Sequence, residues 1–337
     1  MAKRHVEALR NVVEVKEVDE LEFREQLISG KFGVHECVAL HPFFLQLKLN
    51  WALLFELRRR CEKLIAFEVA DSDAISTYAA GMVNNADLVI VPSTFAKYAY
   101  IRSGVRTPVE VLPHGVGEEF MREPREPKHE KLRQLLQLKR EKGFKYVLFF
   151  LWHSGHRKGA DLVYQVMKLV QSRRKDIILV VKRADIIDEH LQWLRKLRMI
   201  EVAGWLRTDD LVDLYDICDM LICPSRGGGF EMNAIEALAR GLPTIVPKWG
   251  CFLDYIEYAI PVPVSGFVRV FTDNPVHTGY GAEIDVSAAA DIILQVAEDL
   301  EEHKARAREN AEAIRRRYSW RAVGDRLIQI LRMRKVI

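Results

Sequence analysis

A run of three glycines, residues 227–229, stands between a short apolar segment and an amphipathic segment that carries Glu231 and Glu236. Glycine lets a backbone approach a ligand closely, and the free N–H groups at the start of a helix attract an anion. Glu236 falls about one and a half turns into the helix, where its carboxylate can accept two hydrogen bonds from a sugar diol. Taken alone, the glycines fit a tight turn equally well.

A second polar cluster, His153 to Lys158, follows another apolar segment. It contains two adjacent cations, Arg157 and Lys158, whose side chains can hydrogen-bond an anionic group. His153 and His156 frame the loop and can hydrogen-bond substrate near neutral pH. On spacing alone, the two cations also fit a solvated loop pair.

Short apolar runs alternate with longer amphipathic runs, and this alternation predicts parallel sheets covered by helices, an α/β fold. The predicted strands are residues 11–15, 34–40, 64–67, 88–92, 109–112, 146–152, 177–182, 220–223 and 243–246. The predicted helices are residues 132–140, 161–171, 209–217, 232–240 and 320–331. The last of them lies in a C-terminal tail whose pattern is helical from residue 287 onward.

The amino-acid composition excludes several classes of protein. The 337 residues fit roughly two domains, and a 49% hydrophobic, 29% charged chain is neither disordered nor fibrous. Fifty Lys plus Arg against 47 Asp plus Glu give a net charge of +3, which argues against a nucleic-acid partner. Asn and Gln are sparse beside Lys, Arg and Glu, a bias typical of heat-adapted, thermophile-like proteins.

The sequence predicts a cytoplasmic protein. The five cysteines are odd in number and form no C-x-x-C pair, which indicates reduced thiols. No apolar run reaches the ~18 residues of a spanning helix, and the first residues lack the apolar core of a signal peptide. Residues 43–57 form an apolar run followed by Arg58, Arg59 and Arg60. This run fits either a peripheral contact with anionic lipid on the cytoplasmic face or a core-facing helix with a solvated end.

The stretch from Pro224 to Pro247 resembles the signature of the retaining family 4 glycosyltransferases, also described as glycosyl transferases group 1. The matching positions are Pro224, Ser225, Gly229, Phe230, Glu236, Ala237, Ala239, Gly241 and Pro243. This sequence departs from the signature at two positions. The first acidic residue of the pattern is Gly228 here, and its last glycine is Glu231. In the family the first Glu contacts the donor sugar, so Glu231 is the candidate to replace it.

The resemblance extends over residues 84–120, 147–167, 203–225 and 310–331. It implies the GT-B architecture, two Rossmann-like domains with a cleft between them and a C-terminal helix that crosses back to the first domain. The domain limits are then 1–122 for an abbreviated acceptor-side domain completed by residues 319–337, 123–144 for a linker, and 145–318 for the nucleotide-sugar domain. The first domain is abbreviated because no glycine-rich loop stands near residues 1–20.

The resemblance also implies residue roles. Lys158 matches the family's diphosphate lysine, His153 stands at its arginine position, and Arg157 is the nearest guanidinium. Catalytic roles fall on Arg157, Lys158 and Glu231. The nucleotide-sugar-binding candidates are His153, Trp205, Leu206, Gly228, Gly229, Phe230, Met232 and Glu236, with Trp205 and Leu206 beside the base and Glu236 at the ribose.

Acceptor-side candidates lie in the first half of the chain, and they are His41, Glu68, Asp71 and His114. Asp71 and Asp73 also match the D-x-D that binds a divalent ion in the other glycosyltransferase fold, GT-A. The second-half motifs favour the metal-independent fold, so no metal site is predicted. Asp71 equally fits the N-cap of a helix over residues 73–82.

The sequence therefore predicts a hexosyltransferase that moves a sugar from a UDP- or GDP-sugar to a glycan, lipid or protein acceptor, with retention and without metal or cofactor. The family likeness implies front-face attack assisted by a diphosphate oxygen. The alternative is a catalytically weak GT-B-like protein that binds nucleotide sugars, which Gly228 and the abbreviated domain suggest. A nicotinamide dehydrogenase is excluded because no G-x-G-x-x-G with a later acidic residue follows a strand.

Overall fold

The computed structural model describes residues 1–152, 154–185 and 189–337. They form two compact units. Unit 1 comprises Met1–Gly115, Phe271–Tyr280 and Trp320–Ile337, and unit 2 comprises Val116–Val270 and Gly281–Ser319. The segment predicted as a linker, 123–144, lies inside unit 2, whereas the final helix belongs to unit 1. The limits drawn from the sequence stay a prediction.

The strands in chain order are β1 His35–Leu40, β2 Cys61–Phe67, β3 Leu88–Val91, β4 Val109–Val111, β5 Lys145–Leu151, β6 Ile177–Arg183, β7 Met199–Val202, β8 Met220–Ile222, β9 Thr244–Pro247, β10 Ile260–Val262, β11 Val264–Arg269 and β12 Tyr280–Ile284. The helices are α1 Ala2–Leu9, α2 Glu20–Ile28, α3 Phe43–Leu47, α4 Trp51–Arg58, α5 Thr77–Val83, α6 Thr94–Arg102, α7 Glu130–Lys142, α8 Gly155–Lys158, α9 Ala160–Arg173, α10 Leu191–Leu194, α11 Thr208–Ile217, α12 Met232–Ala239, α13 Val286–Glu298, α14 Leu300–Tyr318 and α15 Trp320–Met333.

Unit 1 is built on a parallel sheet in the order β1-β2-β3-β4. Alternate residues of β2 face opposite sides, so Ile65 and Phe67 pack with Leu327 of α15 while Leu64 and Ala66 join the core on the other face. Helix α15 therefore covers one face of this sheet, as expected for an amphipathic C-terminal helix.

Unit 2 is built on a parallel sheet in the order β10-β9-β8-β5-β6-β7. The chain starts at β5, moves outward to β7, returns to β8 on the other side of β5 and continues to β10. This is the strand order of the doubly wound Rossmann fold, with its topological switch point between β5 and β8. Helices α9 and α13 pack on one face, against a core that includes Val147 and Leu179. The prediction of an α/β fold is confirmed.

Some sequence predictions are wrong. Residues 11–15 are not a strand: residues 11–13 form a turn and bend after α1, and no strand among the described residues pairs with them. Helix α5 begins at Thr77, and its N-cap is Ser76, whose hydroxyl accepts a 3.1 Å hydrogen bond from the Ala79 N–H, so Asp71 does not cap it. Strands β7, β10, β11 and β12 were missed, since β10 has only three residues and contains Pro261, while polar or small residues interrupt the apolar positions of the other three.

The apolar run over residues 43–57 divides into α3 and α4, with Asn50 as the N-cap of α4. Phe43, Leu47, Leu54 and Leu57 are buried in the core of unit 1. The core-facing reading of this run therefore accounts for most of its apolar side chains, and a lipid contact stays a prediction. Within the described residues, no helix combines the length and apolar character needed to cross a bilayer.

Candidate nucleotide-sugar site

Two loops meet at the switch point of unit 2, one after β5 and one after β8. β5 and β8 are hydrogen-bonded neighbours, so both loops leave the carboxyl edge of the sheet side by side. They border a small pocket lined by Phe149, Phe150, Lys158, Leu221, Ile222, Cys223, Ser225, Glu231 and Asn233. Open α/β sheets bind their ligands at this place.

Gly159 lets the two loops touch. Its φ is +73°, a left-handed conformation that side chains disfavour, and a Cβ there would overlap the carbonyl oxygen of Pro224. The Arg226 N–H donates a 2.8 Å hydrogen bond to the Arg157 carbonyl and ties the loops together one step further on. The short helix α8, which carries Arg157 and Lys158, is thereby fixed against the glycine-rich loop.

The carboxylate of Glu231 pairs with both cations of α8, Lys158 and Arg157. The Lys158 Nζ lies 2.6 Å from Glu231 Oε2, and the Arg157 Nη1 lies 3.8 Å from Oε1. Glu231 is only 2% exposed, and its Oε1 accepts no hydrogen bond within the described part of the chain. Arg157 is also buried and donates to the Gly227 carbonyl at 3.0 Å. The three predicted catalytic residues thus lie together.

Gly228 and Glu231 compete for the same space. A Cβ built on Gly228 would overlap Glu231 Oε1 and lie 3.1 Å from its Cδ. The carboxylate of Glu231 therefore extends to the position from which a side chain at residue 228 would start. The direction of Glu231, which the sequence left open, is toward the place of the missing acid.

Arg226 holds the site loops in register, and the sequence analysis missed it. It is 2% exposed and donates to Asp161 Oδ1 and Oδ2 at 2.7 Å, to Glu283 Oε1 at 2.6 Å and to the His156 carbonyl at 2.6 Å. A planar guanidinium suits such a bidentate arrangement. The pattern did not reveal it because Asp161 and Glu283 lie 65 and 57 residues away in sequence.

Glu236 lies on α12 and is half-buried. The Tyr215 hydroxyl donates a 2.8 Å hydrogen bond to Glu236 Oε2. Burial raises the pKa of Glu236 to about 7, while the Tyr215 hydrogen bond lowers it. Tyr215, on α11, was not identified from the sequence, although a tyrosine on the buried face of a predicted helix signals a polar partner.

The predicted base-pocket residues separate in the structure. Trp205 is 78% exposed and meets Trp152 edge to face, with ring centroids 5.6 Å apart, whereas Leu206 is buried. The buried Lys182 donates to the Gly204 carbonyl, and its Nζ lies 5.7 Å from the Trp152 ring centroid. One ammonium therefore contacts both the loop of Trp205 and the ring of Trp152, which the sequence did not single out.

The remaining donor-side candidates are less central. The Phe230 ring packs beside Tyr255 and Tyr318, and Met232 is the half-buried first residue of α12. Gly229 is buried in the glycine-rich loop. His153 lies outside the described residues, and His156 contacts the Arg269 carbonyl at 3.4 Å.

Two of the predicted acceptor-side residues, His41 and His114, lie near the carboxyl edge of the sheet of unit 1. His5 of α1, which was not predicted, lies beside them. The His5 ring lies 5.4 Å from His41 and stacks on Phe67 at 5.2 Å. Burial lowers the pKa of His5 to about 3, of His41 to about 4 and of His114 to about 3. His5 is buried, and neither of its ring nitrogens has a hydrogen-bond partner in the described chain.

Glu68 and the two aspartates have structural partners in unit 1. The buried Glu68 carboxylate accepts hydrogen bonds from the Phe44 N–H at 2.6 Å and the Val69 N–H at 3.1 Å, and burial raises its pKa to about 7. Asp73 Oδ1 accepts from the Tyr280 N–H at 2.6 Å, and the Asp71 N–H donates to His277 at 3.3 Å. The D-x-D segment thus binds the chain segment 271–280.

Among the described residues, no group of three or more His, Cys, Asp or Glu side chains is arranged to hold a metal ion. All five cysteines, Cys37, Cys61, Cys218, Cys223 and Cys251, are free thiols, and only Cys37 is exposed. Burial raises the pKa of Cys223, which lies 4.0 Å from Glu231 Oε2, to about 12. A thiol held neutral in this way is not a nucleophile.

Comparison with known proteins agrees with this geometry. The family model described as "Glycosyl transferases group 1" matches residues 133–313. The chain is 30% identical to Uncharacterized protein 356 of Sulfolobus islandicus rod-shaped virus 1, over 98% of this chain and 93% of that protein. It is 29% identical to Putative glycosyltransferase 45 of a Sulfolobus islandicus filamentous virus, over 74% and 67%.

Among solved structures, the fold resembles one described as trehalose-6-phosphate from E. coli bound with UDP-2-fluoro glucose. The TM-score is 0.66, the sequence identity is 13%, and the match covers 96% of this chain and 81% of that chain. At this identity, the likeness concerns the fold, which is that of the GT-B glycosyltransferases.

Proposed function

This chain belongs to the family of glycosyl transferases group 1, and from that premise we propose that it transfers a hexosyl group from a UDP- or GDP-sugar to an acceptor hydroxyl with retention of configuration. The observation that carries the proposal is the pairing of Lys158 and Arg157 with Glu231 at the switch point of unit 2. Cations, glycine-rich backbone and a carboxylate meet where this fold binds nucleotides.

Each part of the site supports one step of donor binding. Lys158 and Arg157 neutralise the diphosphate, with added N–H donors at the start of α12. Glu236, oriented by Tyr215, accepts hydrogen bonds from the ribose hydroxyls. Trp205 and Trp152 offer exposed rings to the base, because every nucleobase presents a face for stacking.

The chemistry follows from charge development. The bond between the anomeric carbon and the β-phosphate oxygen breaks, and its electron pair stays on that oxygen beside Lys158. The acceptor oxygen bonds to the same face of the sugar, and its proton passes to the departing phosphate. Because Lys158 and Arg157 stabilise this charge, the reaction requires neither a metal nor a cofactor.

A donor panel tests the proposal. The purified chain is incubated with UDP- and GDP-sugars, with and without EDTA, and release of nucleoside diphosphate is measured. We expect turnover with at least one donor, unchanged by EDTA and reduced at least about a hundredfold in Lys158→Ala, the range seen when one transition-state charge donor is removed. If the chain neither binds nor turns over any of these donors, the proposal is wrong.

The second candidate is a catalytically weak nucleotide-sugar-binding protein of the same fold. It is favoured by Gly228, which stands where the family signature has its first acidic residue. Saturable donor binding without transfer or hydrolysis, detected by calorimetry and product analysis on the same sample, would select this candidate. The acceptor and the roles of His41, Glu68, Asp71 and His114 stay predictions.

A further inference from the structure

We propose that Glu231 is an internal counter-ion that holds the place of the donor diphosphate beside Lys158, and that donor binding exchanges the Glu231 carboxylate for phosphate oxygens. This inference rests on the proposed function and deepens it. In the family signature the acidic residue stands at the position of Gly228, whereas here it stands at residue 231. The consequence is that the Glu231 carboxylate competes with the diphosphate leaving group for the same cation, Lys158.

The contacts fix the present position of the carboxylate. Glu231 Oε2 lies 2.6 Å from Lys158 Nζ, within hydrogen-bond distance, and the side chain of Glu231 is almost fully buried. Its other oxygen faces Arg157 at 3.8 Å without a hydrogen bond. Although Glu231 is the residue before α12, its side chain does not cap that helix. The carboxylate is therefore held by the cations of α8 rather than by its own backbone.

A diphosphate and this carboxylate repel each other when both lie at one ammonium. Two like charges about 4 Å apart repel by roughly 1 kcal/mol even in bulk water, which is about fivefold in affinity, and by more in a buried site. The Glu231 carboxylate is held by the ion pair with Lys158, by Arg157 at 3.8 Å and by the Cys223 thiol at 4.0 Å, and rotation about the bonds of its own side chain releases it from all three. The freed carboxylate then lies beside the bound sugar rather than beside the phosphates.

Gly228 is what permits the internal pairing. A Cβ at residue 228 would occupy the space of Glu231 Oε1, and the φ of Gly228 is not in the left-handed region. The backbone conformation at residue 228 therefore permits alanine, but the alanine Cβ would displace the Glu231 carboxylate from its present position. The structure thus offers two independent ways to free Lys158, one by removing the charge of Glu231 and one by displacing it sterically.

Calorimetry with UDP and GDP, which lack the sugar, tests the exchange. We expect Glu231→Gln to bind the nucleoside diphosphate about fivefold or more tightly than the wild type, since no carboxylate has to leave. Gly228→Ala is expected to tighten binding in the same direction. Gly266→Ala is the control, because a Cβ there meets nothing within 4 Å and its φ is also outside the left-handed region.

Kinetics with the accepted nucleotide sugar separates exchange from a structural role. Under the proposal, Glu231→Gln lowers both KM and kcat, because the donor binds more easily and the carboxylate beside the sugar is lost. A residue that merely holds the loop would weaken diphosphate binding when changed.

The outcomes also distinguish the two levels of inference. If the wild type binds a nucleoside diphosphate through Lys158 but Glu231→Gln binds it equally or more weakly, the exchange is wrong and the donor site stands. If neither protein binds any nucleoside diphosphate, the proposed function fails, and the exchange fails with it.

Discussion

The Tyr215 hydroxyl donates a 2.8 Å hydrogen bond to Glu236 Oε2, and it links a buried residue of α11 to the carboxylate that we propose binds the ribose. Burial holds the pKa of Glu236 near 7, far above its usual value, and the Tyr215 hydrogen bond lowers it. The ionised fraction of Glu236 therefore changes over the physiological pH range, and burial together with the opposing Tyr215 hydrogen bond determines the pH of this change.

Tyr215→Phe is expected to weaken nucleoside diphosphate binding several-fold at pH 7, because loss of the hydrogen bond raises the pKa of Glu236 and leaves less of its carboxyl group ionised. Because the ionised carboxylate is the better acceptor, affinity rises with pH through about 7 in the wild type. In the variant this rise shifts to higher pH. Calorimetric titrations between pH 6 and 8.5 measure both effects.

Tyr146→Phe is the control for this experiment, because it also removes a buried hydroxyl. That hydroxyl lies outside the site and donates a 3.0 Å hydrogen bond to the Leu135 carbonyl. An unshifted pH profile in Tyr215→Phe would show that Tyr215 does not set the ionisation of Glu236.

Gly159→Ala tests the close approach of the two loops. The substitution combines a disfavoured φ of +73° with an overlap on the Pro224 carbonyl oxygen. Gly143 has a similar φ of +67°, but a Cβ there meets nothing within 4 Å. We expect Gly143→Ala to cost about 1 kcal/mol of unfolding free energy, and Gly159→Ala to cost clearly more.

Urea unfolding measures both free energies, and nucleoside diphosphate titration measures the site. Only Gly159→Ala should also weaken binding, because it displaces the helix that carries Lys158. Equal costs in the two variants would mean that the contact with Pro224 has no energetic role.

His5→Phe tests the buried histidine cluster of unit 1. The folded-state pKa of His5, about 3, lies below the unfolded value of 6.5. The unfolded chain therefore takes up a proton first, so stability is complete above pH 6.5 and is lost as the pH falls. At pH 5 the loss from His5 is about 2 kcal/mol.

We expect His5→Phe to be at least as stable as the wild type at pH 7, because two unpaired buried nitrogens are removed, and to lose less stability by pH 5. Denaturant unfolding at pH 7 and pH 5 measures this difference. Leu9→Ala, which removes a side chain packed on the same core, should instead destabilise equally at both pH values. Parallel losses for wild type and His5→Phe would contradict the assignment.

Trp205→Ala tests the proposed base contact. Stacking of a base on an aromatic ring contributes about 1–3 kcal/mol, so nucleoside diphosphate affinity should fall by roughly fivefold to a hundredfold. The melting temperature should change little, because Trp205 is largely exposed. Trp193→Ala, at another partly exposed tryptophan of unit 2, is the matched control. Unchanged affinity in Trp205→Ala would remove Trp205 from the base site.

Sequence periodicity was sufficient for most strands of both sheets, because a buried parallel strand needs a continuous apolar run that differs from its surroundings. The run at residues 11–15 shows the limit of this signal, since a short apolar segment becomes a strand only when a neighbour pairs with it. The pair β11 and β12 was missed for a different reason, because Ser, Gly, Ala and Glu residues interrupt its apolar positions, although Ala282 and Ile284 are buried.

The sequence by itself determined which residues are candidates for the chemistry, because Lys158, Glu231 and Glu236 stand at or beside the positions of the family motifs that follow two predicted strands. Only the tertiary structure decided their partners. The contacts Lys158 to Glu231, Tyr215 to Glu236 and Arg226 to Glu283 join residues 73, 21 and 57 positions apart. Such contacts depend on how the β5 and β8 loops meet at one edge of a sheet, and no local pattern encodes the direction of a side chain across that distance.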